Sequence, residues 1–157
     1  SAKTAEHFAA AAEAGAVGAG ADEAAVEALR AYGLNLGLAF QLADDALDYG
    51  GTSEVLGKNA GDDFNEGKAT LPLLLAVART RGREDAFWER TVTKGERTPE
   101  DFARARELVI GSGAIGATLD LAGDYADQAK AALSILPPSD WRAALEDLAD
   151  FAVSRAA

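Results

Sequence analysis

The sequence predicts an all-α fold, and three observations carry that expectation. About a quarter of the residues are alanine, the best helix former. Apolar side chains recur at the three- and four-residue steps of a helix rather than alternating. Glycine and proline gather where helices would stop or start, with no strand-like run and no repeat between them.

The elements follow in order. A first helix runs from near Lys3 to the glycines Gly15, Gly18 and Gly20. A long second helix starts after Asp22, a good N-cap, and ends at Gly50-Gly51. The segment from Thr52 to Ala69, with its glycines and polar residues, reads as a loop. Thr70 then caps a helix that carries Pro72 in its first turn, where proline is tolerated. Thr98-Pro99-Glu100-Asp101 opens another with proline at the first helical position. Gly111 to Gly113 breaks it, and a further helix runs through Leu119 to Leu136. Pro137-Pro138-Ser139 stops that one and caps the last, Trp141 to Arg155. Leu108, Val109, Ile115, Leu119, Leu121, Leu133, Ile135 and Leu136 fall at core or dimer-interface positions.

Composition narrows the function classes. At 157 residues and 48% hydrophobic content the chain is long and apolar enough to bury a core. The absence of cysteine excludes disulfides and thiolate metal sites. A net charge of −11 argues against nucleic acid, which needs basic patches. The apolar run from Leu71 to Ala78 falls far short of the ~20 residues that span a bilayer. A cytoplasmic location with at most peripheral membrane contact is expected.

Chemistry concentrates in Asp44-Asp45-Ala46-Leu47-Asp48. On a helix Asp44 and Asp48 share a face, with Asp45 beside them and Gln41 a turn earlier. The neighbours Phe40, Leu42, Ala43, Ala46, Leu47 and Tyr49 predict a largely buried helix rather than a solvated acidic face. Buried carboxylates must be paired or metal-bound, and a hard divalent cation with oxygen ligands is the simplest partner. Lys58 and Lys68, in the segment that follows, suit an anionic oxygen ligand such as a phosphate on the far side of the metal.

Other motifs carry less. Gly111-Ser112-Gly113-Ala114-Ile115-Gly116 spells a dinucleotide fingerprint, but a helical pattern precedes it where a strand is required. It reads as a helix–helix junction whose small residues allow close approach. Gly61 to Ala69 lacks both the spacing and the hydroxyl of a nucleotide phosphate loop. His7 reads as a packed or surface histidine, and Asp120, Asp124 and Asp127 as a solvated face.

Taken together, several segments carry a family resemblance: Lys3-Thr4-Ala5, Tyr32-Gly33-x-x-x-Gly37, and Phe40-Gln41-Leu42-x-Asp44-Asp45-x-x-Asp48-Tyr49-x-Gly51. They continue through Gly57-Lys58-x-x-Gly61-Asp62-Asp63-x-x-Glu66-Gly67-Lys68-x-Thr70-Leu71-Pro72 and end in Leu148 to Arg155. The pattern resembles the trans-type polyprenyl diphosphate synthases over the whole chain. The resemblance implies a helical bundle of the isoprenoid synthase type, with residues 1–157 as its C-terminal half only. Family members are roughly double this length and carry an earlier aspartate-rich motif with adjacent arginines, which is absent from 1–157.

The resemblance also implies a reaction: Mg²⁺-dependent addition of isopentenyl diphosphate to an allylic diphosphate. In it Asp44 and Asp48 would ligate Mg²⁺, Asp45 would ligate it or hold its waters, and Asp63 would orient metal-bound water. Lys3 and Lys58 would contact the allylic diphosphate, with Lys68 a further phosphate-side cation. Thr4 and Gln41 would place oxygens near the reacting carbons, and Phe40 would flank isopentenyl diphosphate. The Tyr49-x-Gly51 ending looks like the long-chain branch, octaprenyl to decaprenyl, that supplies quinone side chains. Implied partners are the N-terminal half of the same enzyme and a second copy in a homodimer, so the chain alone is expected to be inactive and to expose an apolar face of Gly33 to Tyr49. By the same resemblance the helical fold also includes two alternatives: a non-catalytic or regulatory subunit of a heteromeric synthase, and a terpene cyclase-like protein. An intact aspartate motif disfavours the first, and the spacing of Asp44 to Asp48 disfavours the second.

Overall fold

The structure, a computed structural model, describes residues 2–50 and 61–156. Within them the chain is helical and contains no strand. In chain order the helices are α1 (Ala2–Gly18), α2 (Glu23–Gly50), α3 (Asp62–Asn65), α4 (Leu71–Arg79), α5 (Asp85–Trp88), α6 (Asp101–Gly111), α7 (Ala114–Ala132) and α8 (Asp140–Ser154). A π turn, Glu89–Thr93, follows α5, and a 3₁₀ turn, Leu133–Ile135, follows α7.

The chain divides into two compact units, one of Ser1–Ala43 with Leu119–Ala157 and one of Asp44–Thr118. The first unit has a core built largely from small side chains: Ala39, Ala126, Ala129, Ala149 and Ala152 surround Tyr32, Leu36 and Leu133. Alanine at a helix contact lets backbones approach closely, so α2, α7 and α8 pack with little side-chain bulk between them. The Tyr32 hydroxyl spans this core and donates to the Leu145 carbonyl at 2.8 Å. Burial pushes its pKa up to about 12. On the other side of α2, Gly33 and Gly37 lie against α1. A Cβ on Gly37 would come within 2.6 Å of the Ala5 Cα, and one on Gly33 would strike the Phe8 carbonyl. The Tyr32-Gly33-x-x-x-Gly37 motif is therefore a helix-contact device.

The second unit packs Tyr49, Phe64, Leu73, Ala76, Trp88, Ala105, Val109 and Ala114 together. Side-chain hydrogen bonds tie its helices together. Trp88 Nε1 donates to Thr80 Oγ1 at 2.8 Å, and Thr80 in turn donates to the Ala76 carbonyl. Arg90 forks onto both Asp101 oxygens at 2.8 and 2.7 Å, while the Thr98 amide donates to the same carboxylate. These contacts hold the Asp101 carboxyl well below the usual carboxylate range, with Arg90 the largest cause.

Several boundaries depart from the sequence-based expectations. Residues 62–65 form a short helix inside the expected loop, and residues 51–60, Lys58 included, lie outside the described residues. Helix α6 begins at Asp101 because Pro99 and Glu100 form a turn closed by the Asp101 amide on the Thr98 carbonyl. The Gly111–Gly113 break is a helix junction, yet a Cβ at Gly111 or Gly116 would meet nothing within 4 Å. The junction turns on Gly113 at φ +71°, not on close approach. Leu121 and Ile135 are exposed rather than core. The apolar residues of Gly33 to Tyr49 are buried or half-buried, so the expected open face does not lie there; the large exposed apolar side chains include Trp141, Leu148 and Phe151 of α8. No helix among the described residues is long and apolar enough to cross a membrane.

Candidate functional site

The aspartate motif occupies the last turns of α2, where Ala46 and Tyr49 are fully buried. Helical geometry turns Asp44 away from that core face, and it is exposed, so the expectation of a wholly buried trio fails at this position. Asp45 and Asp48 are half-buried.

Asp48 is the most constrained of the three. Its Oδ1 accepts a hydrogen bond from the Gly61 amide at 3.1 Å. Its Oδ2 is buried and makes no hydrogen bond of standard geometry among the described residues, although the Asp63 amide also acts on this carboxylate. The carboxyl pKa is pushed up to about 6, first by burial and then by the charge of Asp63; the Gly61 and Asp63 amides oppose this without cancelling it. Gly61 supplies its amide from a left-handed conformation, φ 91°, with its Cα face against the Phe102 ring. A side chain there would need both a rare backbone conformation and the space the ring fills.

Asp63, on α3, is held from the far side by Lys68. The Lys68 ammonium lies 2.8 Å from Asp63 Oδ1 and 2.8 Å from Glu66 Oε2, and these carboxylates raise its pKa. Lys68 therefore binds carboxylates at this site. The pair is solvent-exposed and contributes orientation more than stability.

Tyr49 is buried and its hydroxyl pKa is raised, burial being the largest cause. Its hydroxyl and that of Thr70 neighbour each other, but neither makes a hydrogen bond of standard geometry among the described residues. Thr70 precedes α4 with extended backbone angles, yet its side chain makes no capping bond, contrary to expectation.

The remaining candidates belong to the other unit. Lys3 is exposed and Thr4 half-buried on α1; Phe40 and Gln41 are half-buried on α2. The Phe40 ring lies 5.8 Å from the Phe8 ring and carries the Arg155 guanidinium 4.1 Å above its centroid. Arg155 Nη2 also donates to the Phe40 carbonyl at 3.2 Å. His7 is exposed, as are Asp120, Asp124 and Asp127.

Sequence reasoning missed the partners of these groups: Gly61 as a donor to Asp48, Phe102 behind Gly61, Arg106 on the Tyr49 carbonyl, and Arg155 over Phe40. Gly61 left a trace in the sequence, as a glycine immediately before an aspartate pair, and Arg155 as the end of the last motif segment; Phe102 and Arg106 left none.

The donor set here is all carboxylate oxygen, and Asp48 Oδ2 is a buried acceptor without a donor. Both fit a hard divalent cation, which would satisfy that oxygen and relieve the repulsion between Asp48 and Asp63. Among the described residues no three Asp, Glu or His side chains converge enough to hold an ion unaided.

The family model for polyprenyl synthetase matches residues 1–109. The octaprenyl diphosphate synthase of Escherichia coli (strain K12) is 43% identical over 153 residues, covering 98% of this chain and 47% of that protein. A crystal structure of polyprenyl synthase from Caulobacter crescentus CB15, complexed with calcium and isoprenyl diphosphate, superposes with a TM-score of 0.94 at 74% identity. It covers 99% of this chain and 47% of its own. A decaprenyl diphosphate synthase from Rhodobacter capsulatus superposes with a TM-score of 0.89 at 46% identity, covering 99% of this chain and 48% of its own. The chain thus spans about half the length of the relatives it matches. On the sequence match and the shared helical fold, the chain belongs to the polyprenyl synthetase family.

Proposed function

We propose that residues 1–157 form the C-terminal half of a Mg²⁺-dependent prenyltransferase that adds isopentenyl diphosphate to an allylic diphosphate. The product class is long-chain, octaprenyl to decaprenyl, for quinone side chains; the names of the relatives from Escherichia coli and Rhodobacter capsulatus support the chain length. The other half would carry the first aspartate-rich motif, and the working enzyme would be a cytoplasmic homodimer.

The observation that carries the metal role is Asp48, whose Oδ2 is buried without a donor beside a second negative charge. In this reading Asp44, Asp45 and Asp48 hold Mg²⁺, with Asp63 directing its water. Mg²⁺ held there would supply the positive charge that the diphosphate leaving group needs and that an acidic protein cannot supply directly. The chain's own residues do the rest. The Gly61 amide fixes Asp48 so that one oxygen stays available, and Lys68 fixes Asp63. Lys3 and Lys58 bring positive charge to the allylic diphosphate. Thr4 and Gln41 present oxygens to the developing carbocation, a dipole stabilisation of the kind that lowers such barriers most. Phe40, backed by Arg155, flanks isopentenyl diphosphate. The leaving diphosphate takes the proton lost on condensation, so no side-chain base is required.

Thermal unfolding of the chain with and without Mg²⁺ and inorganic diphosphate tests this. A ligand that binds only the folded state must raise the Tm with concentration. The expected result is a rise in the wild type that Asp48→Asn abolishes; no rise, or an equal rise in the variant, contradicts the metal assignment.

A further inference from the structure

Helix α6 packs against the aspartate motif through two side chains one turn apart. Arg106 Nε donates to the carbonyl of Tyr49 at 2.7 Å, next to Asp48 in sequence. Tyr49 sits in the last turn of α2, and a guanidinium there suits the negative end of the helix dipole. Arg106 forms no ion pair with a carboxylate among the described residues; its observed bond is to this helix end. One turn earlier, the Phe102 ring stands 6.1 Å from the Tyr49 ring and 6.2 Å from the Phe64 ring. The same ring lies so close to Gly61 that a Cβ would come within 2.5–2.6 Å of three of its carbons. Phe102 and Arg106 therefore hold both ends of one hydrogen bond: Arg106 the segment bearing the Asp48 acceptor, Phe102 the segment bearing the Gly61 donor.

We propose that Phe102 and Arg106 of α6 are positioning residues for the Asp48 carboxylate, committing Oδ1 to the Gly61 amide and leaving Oδ2 for a ligand. The inference rests on the proposed role of Asp48, but its geometry can be read without any metal. Arg104, on the same helix, is the internal control, since its guanidinium bonds Glu84 and Glu107 instead.

The experiment follows the Gly61 amide by NMR hydrogen exchange in the full 157-residue chain, with the Ala129 amide as a reference for global opening. Titration with Ca²⁺ plus inorganic diphosphate runs in parallel. Arg106→Met keeps an aliphatic stem but deletes the donor, Arg106→Lys restores a donor, and Phe102→Leu loosens the ring contact. In Arg106→Met and Phe102→Leu, Gly61 exchange is expected to rise at least about tenfold relative to Ala129, the scale of one lost charge-assisted hydrogen bond. Affinity for the probe should fall in step, Arg106→Lys should recover most of both, and Arg104→Ala should change neither. Unchanged Gly61 exchange in a folded Arg106→Met chain would overturn the proposal, as would an equal response to Arg104→Ala. If the exchange pattern appears but the wild-type chain binds no Ca²⁺ and diphosphate, the positioning role is upheld and the metal role of Asp48 fails instead.

Discussion

Asp44 and Asp48 share a helix face but not an environment. Asp44 is exposed, whereas Asp48 is half-buried, with one oxygen on an amide and the other buried without a hydrogen bond of standard geometry. A buried acceptor left unpaired costs stability, on the order of 1–3 kcal/mol, so its retention in a folded chain points to a ligand that completes it. The exposure of Asp44 suits a group that meets substrate from outside. In the assembled enzyme, Asp44→Ala is expected to cut turnover by about a hundredfold or more while circular dichroism stays unchanged, because the proposed mechanism makes it a ligand needed mainly in the transition state. Near-normal turnover would remove Asp44 from the site. Lys58→Ala should raise KM for the allylic substrate more than for isopentenyl diphosphate, since only the former shares the metal cluster in the proposed mechanism. Equal effects on the two constants would assign Lys58 to folding or to the general field.

Among the elements, helix ends were the most legible in the sequence because capping is local chemistry. Asp22 accepts from the Ala25 amide at 2.8 Å, and Ser139 accepts from the Arg142 amide at 3.1 Å, as their positions before apolar runs imply. What was not legible depends on partners distant in sequence. Helix α5 and the π turn after it are pinned by Trp88 on Thr80 and Arg90 on Asp101, contacts that no periodic pattern announces. Thr70 looked like a cap, but tertiary packing buries its hydroxyl beside Tyr49 instead. The aspartates and Gly61 were visible as motifs, whereas Phe102 and Arg106, proposed to orient one of those aspartates, became visible only once α6 was in place.

The Arg90–Asp101 pair gives a pH prediction at this scale. Asp101 has a folded pKa below its unfolded value of about 3.9. Its contribution is therefore complete above that value and lost as pH falls through the folded pKa. Asp101→Asn should lower the Tm at pH 7 and flatten the decline of Tm between pH 5 and about 3. A variant that declines as steeply as the wild type would show that other carboxylates govern acid unfolding. The glycines of α2 and α7 should respond oppositely to alanine. In Gly37→Ala the new methyl meets the α1 backbone at Ala5, so a loss of about 1–3 kcal/mol is expected from denaturant unfolding. In Gly123→Ala, within α7, a Cβ meets nothing within 4 Å, so a gain of about 0.5–1 kcal/mol is expected. Equal effects at the two positions would deny the helix-contact role of Gly37.

At the scale of the whole molecule, the chain spans about half the length of its relatives, with 98% of its own length matched to the Escherichia coli protein. The proposed reaction brings highly charged diphosphates to a chain of net charge −11, which is workable only if cations stand between them. One aspartate motif supplies ligands from one side, and no three carboxylates among the described residues close around an ion unaided. The complementary carboxylates of the other half are therefore part of the proposed site, and turnover should require both. The most direct test is a prenyl-transfer assay with Mg²⁺, isopentenyl diphosphate and an allylic diphosphate, comparing purified residues 1–157 with the same chain joined to a half bearing the first aspartate-rich motif. The predicted result is no condensation by the chain alone and condensation by the joined protein. Steady turnover from a monodisperse preparation of residues 1–157 alone would contradict the claim that this chain is half of a prenyltransferase.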